Sequence, residues 1–291
     1  MFLKAIIFGA NGQDGHYMNE LCSLKGIETI GVSRTGNWSN GDVSHFDLVE
    51  RLIKEHLPDY IFHFAAKSTT KHEALFENHE TISTGTLNIL EAVKRHSPKS
   101  KVFITGSGVQ FENKGNPISE RDNFEAKSPY SIARIQSVYA ARYFRSLGLR
   151  VYVGYLFHHE SPLRKDNHIS KVIADAVIRI ANGSNEKISI GDTSVKKEWA
   201  FAGDIAEGIF TLINQDKIFE ACIGTGKAYS IQDWLEICFN RIDKDWTEYV
   251  NLKESFSPEY KILVSNPSTM NSIGWKPRIQ FDNLCTIMLN G

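Results

Sequence analysis

The segment Lys4–Gly15 joins a short apolar strand to three glycines with the spacing Gly-x-x-Gly-x-x-Gly. Spaced glycines between a strand and a helix allow a tight turn, and the free N–H groups of the helix attract phosphate. Ordinary strand-to-helix turns also use glycines, but here a helical stretch over Tyr17–Lys25 and a strand over Glu28–Ser33 follow. This context favours a pyrophosphate-binding loop of a dinucleotide site, formed by Gly9, Asn11, Gly12, Gln13, Asp14 and Gly15.

Strands and helices alternate along the first half of the chain. Apolar strands are predicted over Ala5–Phe8, Glu28–Val32, Tyr60–Phe64, Lys101–Thr105 and Arg150–Tyr155, with later helices over Val49–His56, Thr86–His96 and Ser131–Ser146. This alternation predicts an α/β fold with a Rossmann-type doubly wound parallel sheet, covered by helices on both faces.

The second half of the chain is less regular. Helices are predicted over Ile169–Ala181, Ile205–Ile213, Ile231–Arg241 and Asp282–Leu289, with short strands near Lys187–Ile190 and Phe219–Ile223. We therefore assign residues 1–157 to a Rossmann domain. Residues 158–291 are assigned mainly to a smaller C-terminal substrate-binding region, from which segments can return to the sheet.

Composition narrows the classes of partner. The chain has 291 residues and a formal net charge of -1, so no global basic field favours nucleic acid or an anionic membrane. Its four cysteines lie far apart without a Cys-x-x-Cys pair, which argues against a zinc site or a disulfide framework. No apolar run reaches the length of a membrane span, and no signal-peptide pattern opens the chain. We expect a cytoplasmic protein with free thiols.

The loops after the second and third strands supply candidate cofactor contacts. Arg34 follows the second strand, where a carboxylate would hold the ribose of NAD and a cation suits the 2′-phosphate of NADP. Arg34 therefore favours NADP(H), with NAD(H) as the alternative if this arginine is only solvated. Asp47 and Leu48 lie in the next loop, where the carboxylate can either bind the adenine amine or cap a helix. The third strand ends in small residues that allow a ligand to lie close, namely Ala65, Ala66 and Ser68.

Tyr130 and Arg134 stand four residues apart on a predicted helix, so both lie on the same face. A cation beside a phenol stabilises the phenolate and makes tyrosine a usable proton donor or acceptor near neutral pH. Ser107, at the end of the fourth strand, can bond the same reacting oxygen. A buried tyrosine with a surface arginine is the alternative, but the upstream glycine loop favours a catalytic set of Ser107, Tyr130 and Arg134.

These residues resemble the extended short-chain dehydrogenase/reductase family. The closer resemblance is to the group of GDP-mannose 4,6-dehydratases and GDP-4-keto-6-deoxymannose reductases, and it extends from Ile6 to about Phe281. The matching segments are Gly12–Gly15, Ser128–Tyr130, Leu156–Pro162, Lys197–Trp199, Asn266–Ser268 and Gly274–Pro277.

The resemblance implies a nicotinamide cofactor and a nucleotide-sugar substrate. It implies cofactor contacts at His159 and Arg164, in addition to the glycine loop, Arg34, Asp47, Leu48 and the turn after the third strand. It also implies substrate contacts at Asn167, Lys171 and Lys197. Members often pair through two helices, here Thr86–His96 and Ser131–Ser146, so we expect a homodimer or homotetramer.

Three positions depart from the pattern of this group. Val109 stands where its dehydratases carry the glutamate that acts on C5–H and C6–OH during water elimination, and valine cannot transfer a proton. Arg134 stands where the family has lysine; it keeps the charge but has a different geometry and cannot lose a proton. Ser257 replaces an arginine of GDP-binding relatives.

The combined expectation is an NADPH-dependent reductase of a 4-keto (6-deoxy) nucleotide sugar, GDP-linked by resemblance. A C4 dehydrogenase or epimerase, or a 4,6-dehydratase, is the alternative on the same fold. A non-catalytic nucleotide-sugar-binding protein is the alternative of another class.

Overall fold

A seven-stranded parallel sheet lies at the centre of the protein, in a computed structural model that describes residues 3–253 and 255–291. Its strands are β1 (Lys4–Phe8), β2 (Glu28–Ser33), β3 (Ser39–Asn40), β4 (Tyr60–His63), β5 (Lys101–Ser107), β6 (Arg150–Leu156) and β11 (Glu220–Ile223). They lie in the order β11-β6-β5-β4-β1-β2-β3, which confirms the predicted Rossmann-type fold.

Helices cover both faces of this sheet. One face carries α2 (Phe46–His56), α4 (Gly85–His96) and α5 (Pro129–Ser146), and the other carries α1 (Gln13–Leu24) and α7 (Ala202–Ile213). Because strand side chains alternate, Ile6 and Phe8 of β1 pack in the first layer and Ile7 in the second. A short helix α3 (Leu75–Asn78) joins α4 through a π-helical turn. The predicted helix over Thr86–His96 is therefore the last part of a longer helical stretch that begins at Leu75.

The carboxyl-terminal part has its own apolar core between three helices, α6 (Ile169–Ala181), α8 (Ile231–Asn240) and α10 (Phe281–Leu289). The rings of Trp199 and Trp234 stack in it at a centroid distance of 4.7 Å. The remaining elements are the helix α9 (Ser268–Ser272) and the strands β7 (His159–Glu160), β8 (Ile188–Ile190), β9 (Lys196–Glu198), β10 (Ala200–Phe201), β12 (Ala228–Ser230), β13 (Val250–Leu252) and β14 (Ile262–Leu263). Within the described ranges, no helix combines the length and apolarity needed to span a bilayer.

Two late segments return to the Rossmann layers. The strand β11 pairs in parallel with β6, with Glu220 opposite Val153, and α7 packs beside α1. The Glu220 carboxylate accepts hydrogen bonds from Arg142 at 2.9 and 2.7 Å and from the Tyr155 hydroxyl at 2.7 Å. The Rossmann core therefore takes one strand and one helix from the region that follows residue 157, as the sequence analysis allowed.

Gly15 provides a test of how tightly α1 packs on the turn after β1. A Cβ at this position would lie 2.5 Å from the carbonyl oxygen of Gly9 and 2.6 Å from the Cα of Ala10. We expect Gly15→Ala to lower the free energy of unfolding by about 1–3 kcal/mol, because backbone atoms must move. Urea unfolding of the cofactor-free protein measures this effect. Ser23→Ala, on the exposed side of α1, is the control, and equal stability of the two variants would contradict the packing argument.

Candidate active site

A cavity of about 510 Å³ opens where β1, β4, β5 and β6 end at their carboxyl termini. It is continued past the end of β2 by a groove of about 320 Å³, and the two share Gly9, Asn11 and Gly12. In doubly wound sheets, ligands bind at the carboxyl ends of the strands, where the strand order reverses, and β1 lies at that point between β4 and β2. The elongated shape suits a dinucleotide lying across the glycine loop, with a second ligand beyond it.

The glycine loop fits the pyrophosphate of a dinucleotide. Gly9 has φ +88°, and a Cβ there would lie 2.6 Å from the backbone nitrogen of Ala65, so only glycine fits this turn. Gly15 lets α1 pack directly on the turn. Gly12 precedes the first turn of α1 and lines the cavity, where the first N–H groups of this helix can bind an anion. These are the three roles that glycines have in a dinucleotide-binding loop.

The turn after β4 forms the opposite wall, and its contact with a cofactor stays a prediction. Ala65 lines the groove, Ser68 lines the cavity and Ala66 lines both. These short side chains leave room beside the glycine loop.

His159 and Asp14 form an ion pair beside the glycine loop. The Nε2 atom of His159 lies 2.8 Å from Asp14 Oδ1, and its Nδ1 atom lies 2.7 Å from the Phe157 carbonyl oxygen. Both partners only accept hydrogen bonds, so both ring nitrogens donate and the ring is positively charged. Burial alone would lower the pKa of His159, but the Asp14 carboxylate raises it above its usual value. Burial would raise the pKa of Asp14, but His159 and then Arg164 lower it to about 2.

Tyr130, Arg134 and Ser107 line the same cavity. Tyr130 lies in the first turn of α5, which Ser128 caps by accepting a hydrogen bond from the Ser131 N–H at 3.1 Å. The Arg134 guanidinium carbon lies 5.0 Å from the centroid of the Tyr130 ring, and this arginine is 2% exposed. The structure therefore brings together the three predicted catalytic residues, whose roles remain a prediction.

The main chain at the end of β5 holds Arg134 in place. Its Nη1 atom donates a hydrogen bond to the Thr105 carbonyl oxygen at 2.6 Å. This bond directs part of the guanidinium towards the backbone. Since arginine has five donors, others remain for a ligand.

Val109 lies on the cavity wall in a short turn directly after Ser107. Among the described residues that line the cavity, the carboxylates are Asp14 and Glu259. Asp14 is paired with His159, and Glu259 accepts a hydrogen bond from the Thr70 hydroxyl at 3.3 Å. The position at which the resemblance implies a glutamate in dehydratases is therefore apolar here.

Arg34 lines the groove past β2 and has carboxylate partners there, while its contact with a cofactor stays a prediction. Its Nη2 atom lies 3.0 Å from Glu77 Oε1, and its Nη1 atom lies 3.8 Å from Asp42 Oδ2. The sequence around Arg34 gave no sign of Glu77, which comes from the separate helix α3.

Asp47 and Leu48 do not line the groove; Asp42 and Val43 do. Asp47 is exposed in the first turn of α2, and Leu48 packs over Gly41. The physical reason is the short strand β3, which pairs in parallel with the end of β2, so that the residues directly after β3 lie beside the groove. We therefore transfer the proposed adenine contact from Asp47 and Leu48 to Asp42 and Val43.

The three predicted substrate residues are not among the residues that line the cavity. Asn167 is exposed, and Lys171 forms an ion pair with Asp175 at 2.8 Å. Lys197 is buried, with its Nζ atom 3.4 Å from Glu160 Oε1. Glu160 is fully buried; burial alone would raise its pKa, but Lys197 and then Arg164 lower it to about 2. Arg164, which lines the cavity, places its Nε atom 3.3 Å from Glu160 Oε2, so Lys197 and Arg164 together neutralise this internal charge.

The sequence alone did not identify several other side chains that line the substrate half of the cavity. His158, His168 and Tyr260 are among them, and the Tyr260 hydroxyl lies 3.0 Å from His158 Nε2. Burial, and then Lys197, lowers the pKa of His158 well below its usual value, while burial and Arg164 lower that of His168 to about 4. His158 belongs to the matching segment Leu156–Pro162 and could have been found there; Tyr260 reaches the cavity from a distant loop that carries no motif.

The dinucleotide groove and the serine, tyrosine and cation at its end define an enzyme of the NAD(P)-dependent short-chain dehydrogenase/reductase class. A family model described as GDP-mannose 4,6 dehydratase matches residues 6–288, and the chain belongs to this family of nucleotide-sugar enzymes. GDP-mannose 4,6 dehydratase 2 from Arabidopsis thaliana is 28% identical over 98% of this chain and 86% of its own length.

Solved structures share the fold. UDP-glucose 4-epimerase from Thermus thermophilus in complex with NAD superimposes with a TM-score of 0.86 and 18% identity, over 99% of this chain and 98% of that one. RMD from Pseudomonas aeruginosa complexed with NADPH gives the same TM-score of 0.86, 18% identity and the same coverage of 99% and 98%. At this identity the likeness establishes the fold.

The Asp14–His159 pair predicts that removal of the Asp14 charge reverses the direction of the pKa shift of His159. In the unmodified protein the folded pKa of His159 lies above its usual value of 6.5, so its contribution to stability is complete below 6.5 and is lost as pH rises through the folded pKa. In Asp14→Asn, burial dominates and the folded pKa of His159 falls below 6.5. Proton NMR titration measures both values, with the His159 signal assigned by its loss in His159→Gln. Equal pKa values in the two proteins would refute the pairing.

Proposed function

We propose that the protein is an NADPH-dependent reductase of a 4-keto (6-deoxy) nucleotide sugar, with GDP as the proposed nucleotide. Family membership supports the nucleotide sugar, and related folds are described in complex with NAD or NADPH. The observation that carries the choice of reduction over dehydration is the apolar side chain of Val109 on the cavity wall.

Reduction at C4 requires a hydride and a proton. The glycine loop would hold the pyrophosphate of the nicotinamide cofactor, which supplies the hydride when it is bound. Tyr130 would donate its hydroxyl proton to the oxygen at C4, and Ser107 would donate a hydrogen bond to the same oxygen. The positive charge of Arg134, whose guanidinium carbon lies 5.0 Å from the centroid of the Tyr130 ring, would attract the negative charge that develops on the phenol oxygen. None of these steps needs a base at C5.

Dehydration does need such a base. Elimination of water across C5 and C6 removes a proton from C5 and protonates the leaving hydroxyl at C6, and valine can do neither. The curated relatives are dehydratases, and this favours dehydration as the second candidate function. In that case Glu259, the carboxylate on the cavity wall that is not paired with His159, would have to replace the missing glutamate.

Isotope labelling separates reduction from dehydration. GDP-mannose with NADP⁺ should give no 4-keto-6-deoxy product. GDP-4-keto-6-deoxymannose with NADPH deuterated at nicotinamide C4 should gain deuterium at sugar C4, and in D₂O it should gain none at C5. Mass spectrometry and NMR of the sugar measure both. Water loss or deuterium at C5 would reject the reductase and favour the dehydratase, with Glu259→Gln as the next variant.

Tyr130→Phe removes the proposed proton donor without removing the ring. We expect turnover to fall by on the order of a hundredfold or more, since general acid catalysis contributes about that much. Cofactor affinity, measured by calorimetry, should stay nearly constant. Phe124→Leu, a change in an apolar contact outside the cavity lining, is the control for general effects on folding. Full turnover in Tyr130→Phe would exclude Tyr130 from proton transfer.

We also propose that the protein is a homodimer or homotetramer that pairs through α4 and α5. Exposed apolar side chains on these helices support this, with exposures of 49% for Leu87, 38% for Ile132, 58% for Tyr139 and 60% for Tyr143. Light scattering at micromolar concentration should give a multiple of the monomer mass of 32.9 kDa, and Tyr139→Lys with Tyr143→Lys should give the monomer. A monomeric mass for the unmodified protein would contradict this proposal.

We propose a cytoplasmic location. The four cysteines are buried free thiols, which suits a reducing compartment.

A further inference from the structure

Two cations and two carboxylates form a cluster at the end of the groove, where the ribose of the adenosine would lie. Glu77 bridges the cations: its Oε1 atom lies 3.0 Å from Arg34 Nη2, and its Oε2 atom lies 3.5 Å from Lys67 Nζ. Asp42 adds a second, weaker contact to Arg34 at 3.8 Å. Each oxygen of Glu77 thus faces a different cation, and the four charges sum to zero.

A phosphate monoester offers three terminal oxygens, so it can also face both cations at once, and it carries a larger negative charge than a carboxylate. Arg34 stands directly after β2, at the position that distinguishes a ribose hydroxyl from a 2′-phosphate. Lys67 lies in the turn after β4, between Ala66 and Ser68 of the cavity wall. We propose that Arg34 and Lys67 together bind the 2′-phosphate of the cofactor, and that Glu77 occupies this site until the phosphate displaces it. This inference rests on the proposed use of NADPH.

The exposure of the cluster makes the exchange feasible. The side chains of Arg34, Lys67 and Glu77 are 52%, 50% and 34% exposed, and ion pairs at such positions contribute little to stability. Glu77 can therefore leave its partners at small cost. While it stays, its charge repels a dianion, as does that of Asp42. Glu77 thus weakens binding of a 2′-phosphate but leaves binding of an adenosine without one unchanged.

Calorimetry without any sugar substrate tests this inference. The ligands are NADPH and adenosine 2′,5′-bisphosphate, compared with NADH and AMP. In Glu77→Gln the two 2′-phosphorylated ligands should bind about three- to tenfold more tightly, as expected for removal of one partly screened charge. In Lys67→Met the same two ligands should bind more weakly by a similar factor. NADH and AMP should bind each variant as they bind the unmodified protein, which also shows that the variants are folded.

Glu80→Gln is the matched control. Glu80 is exposed in the turn after α3, and its removal changes the net charge by the same amount. It should leave all four affinities unchanged. If Glu77→Gln and Glu80→Gln act alike, or if Glu77→Gln weakens binding of NADPH, the displacement is refuted. In that case Glu77 only orients Arg34, and the proposed reductase stands. If the unmodified protein binds none of the four ligands, the inference and the proposed function both fail.

Discussion

The ion pair between Asp14 and His159 joins the two parts of the chain that build the cavity. Asp14 belongs to the glycine loop, and His159 follows the sixth strand of the sheet. Two more bonds support the same junction: Gln13 Oε1 accepts from the Ser161 hydroxyl at 2.7 Å, and Gln13 Nε2 donates to the His159 carbonyl oxygen at 3.3 Å. The glycine loop therefore keeps its position because the substrate side of the cavity is bonded to it. These bonds hold two walls of the cavity against each other.

The sequence predicted the elements whose pattern depends on local rules. Apolar strands buried on both faces, with helices between them, specify a parallel sheet, and the glycine spacing specifies a turn that only glycine can make at Gly9. Tyr130 and Arg134 were found because one helical turn places them on one face. Such features depend on neighbours close along the chain, so they can be read from a single sequence.

Residues whose surroundings come from distant segments could not be placed in this way. Lys197 carries a charge that a sequence reading assigns to a phosphate, but the buried carboxylate of Glu160 takes it. Asp47 was expected to contact the adenine, but the short strand β3 places Asp42 in the groove instead. Glu77 reaches Arg34 from another helix. In each case the deciding partner is a charge or a turn that the local sequence does not show.

The late strand β11 affects how the chain matures during synthesis. Until Glu220–Ile223 leaves the ribosome, β6 is an unpaired edge that exposes backbone donors and acceptors next to apolar side chains. Arg142 and Arg145 also lack the carboxylate that later pairs with them. During this interval the exposed edge of β6 in the nascent amino-terminal half can pair with another chain. Closing the long loop to β11 slows the completion of the sheet. Protection by a chaperone is most needed during this interval.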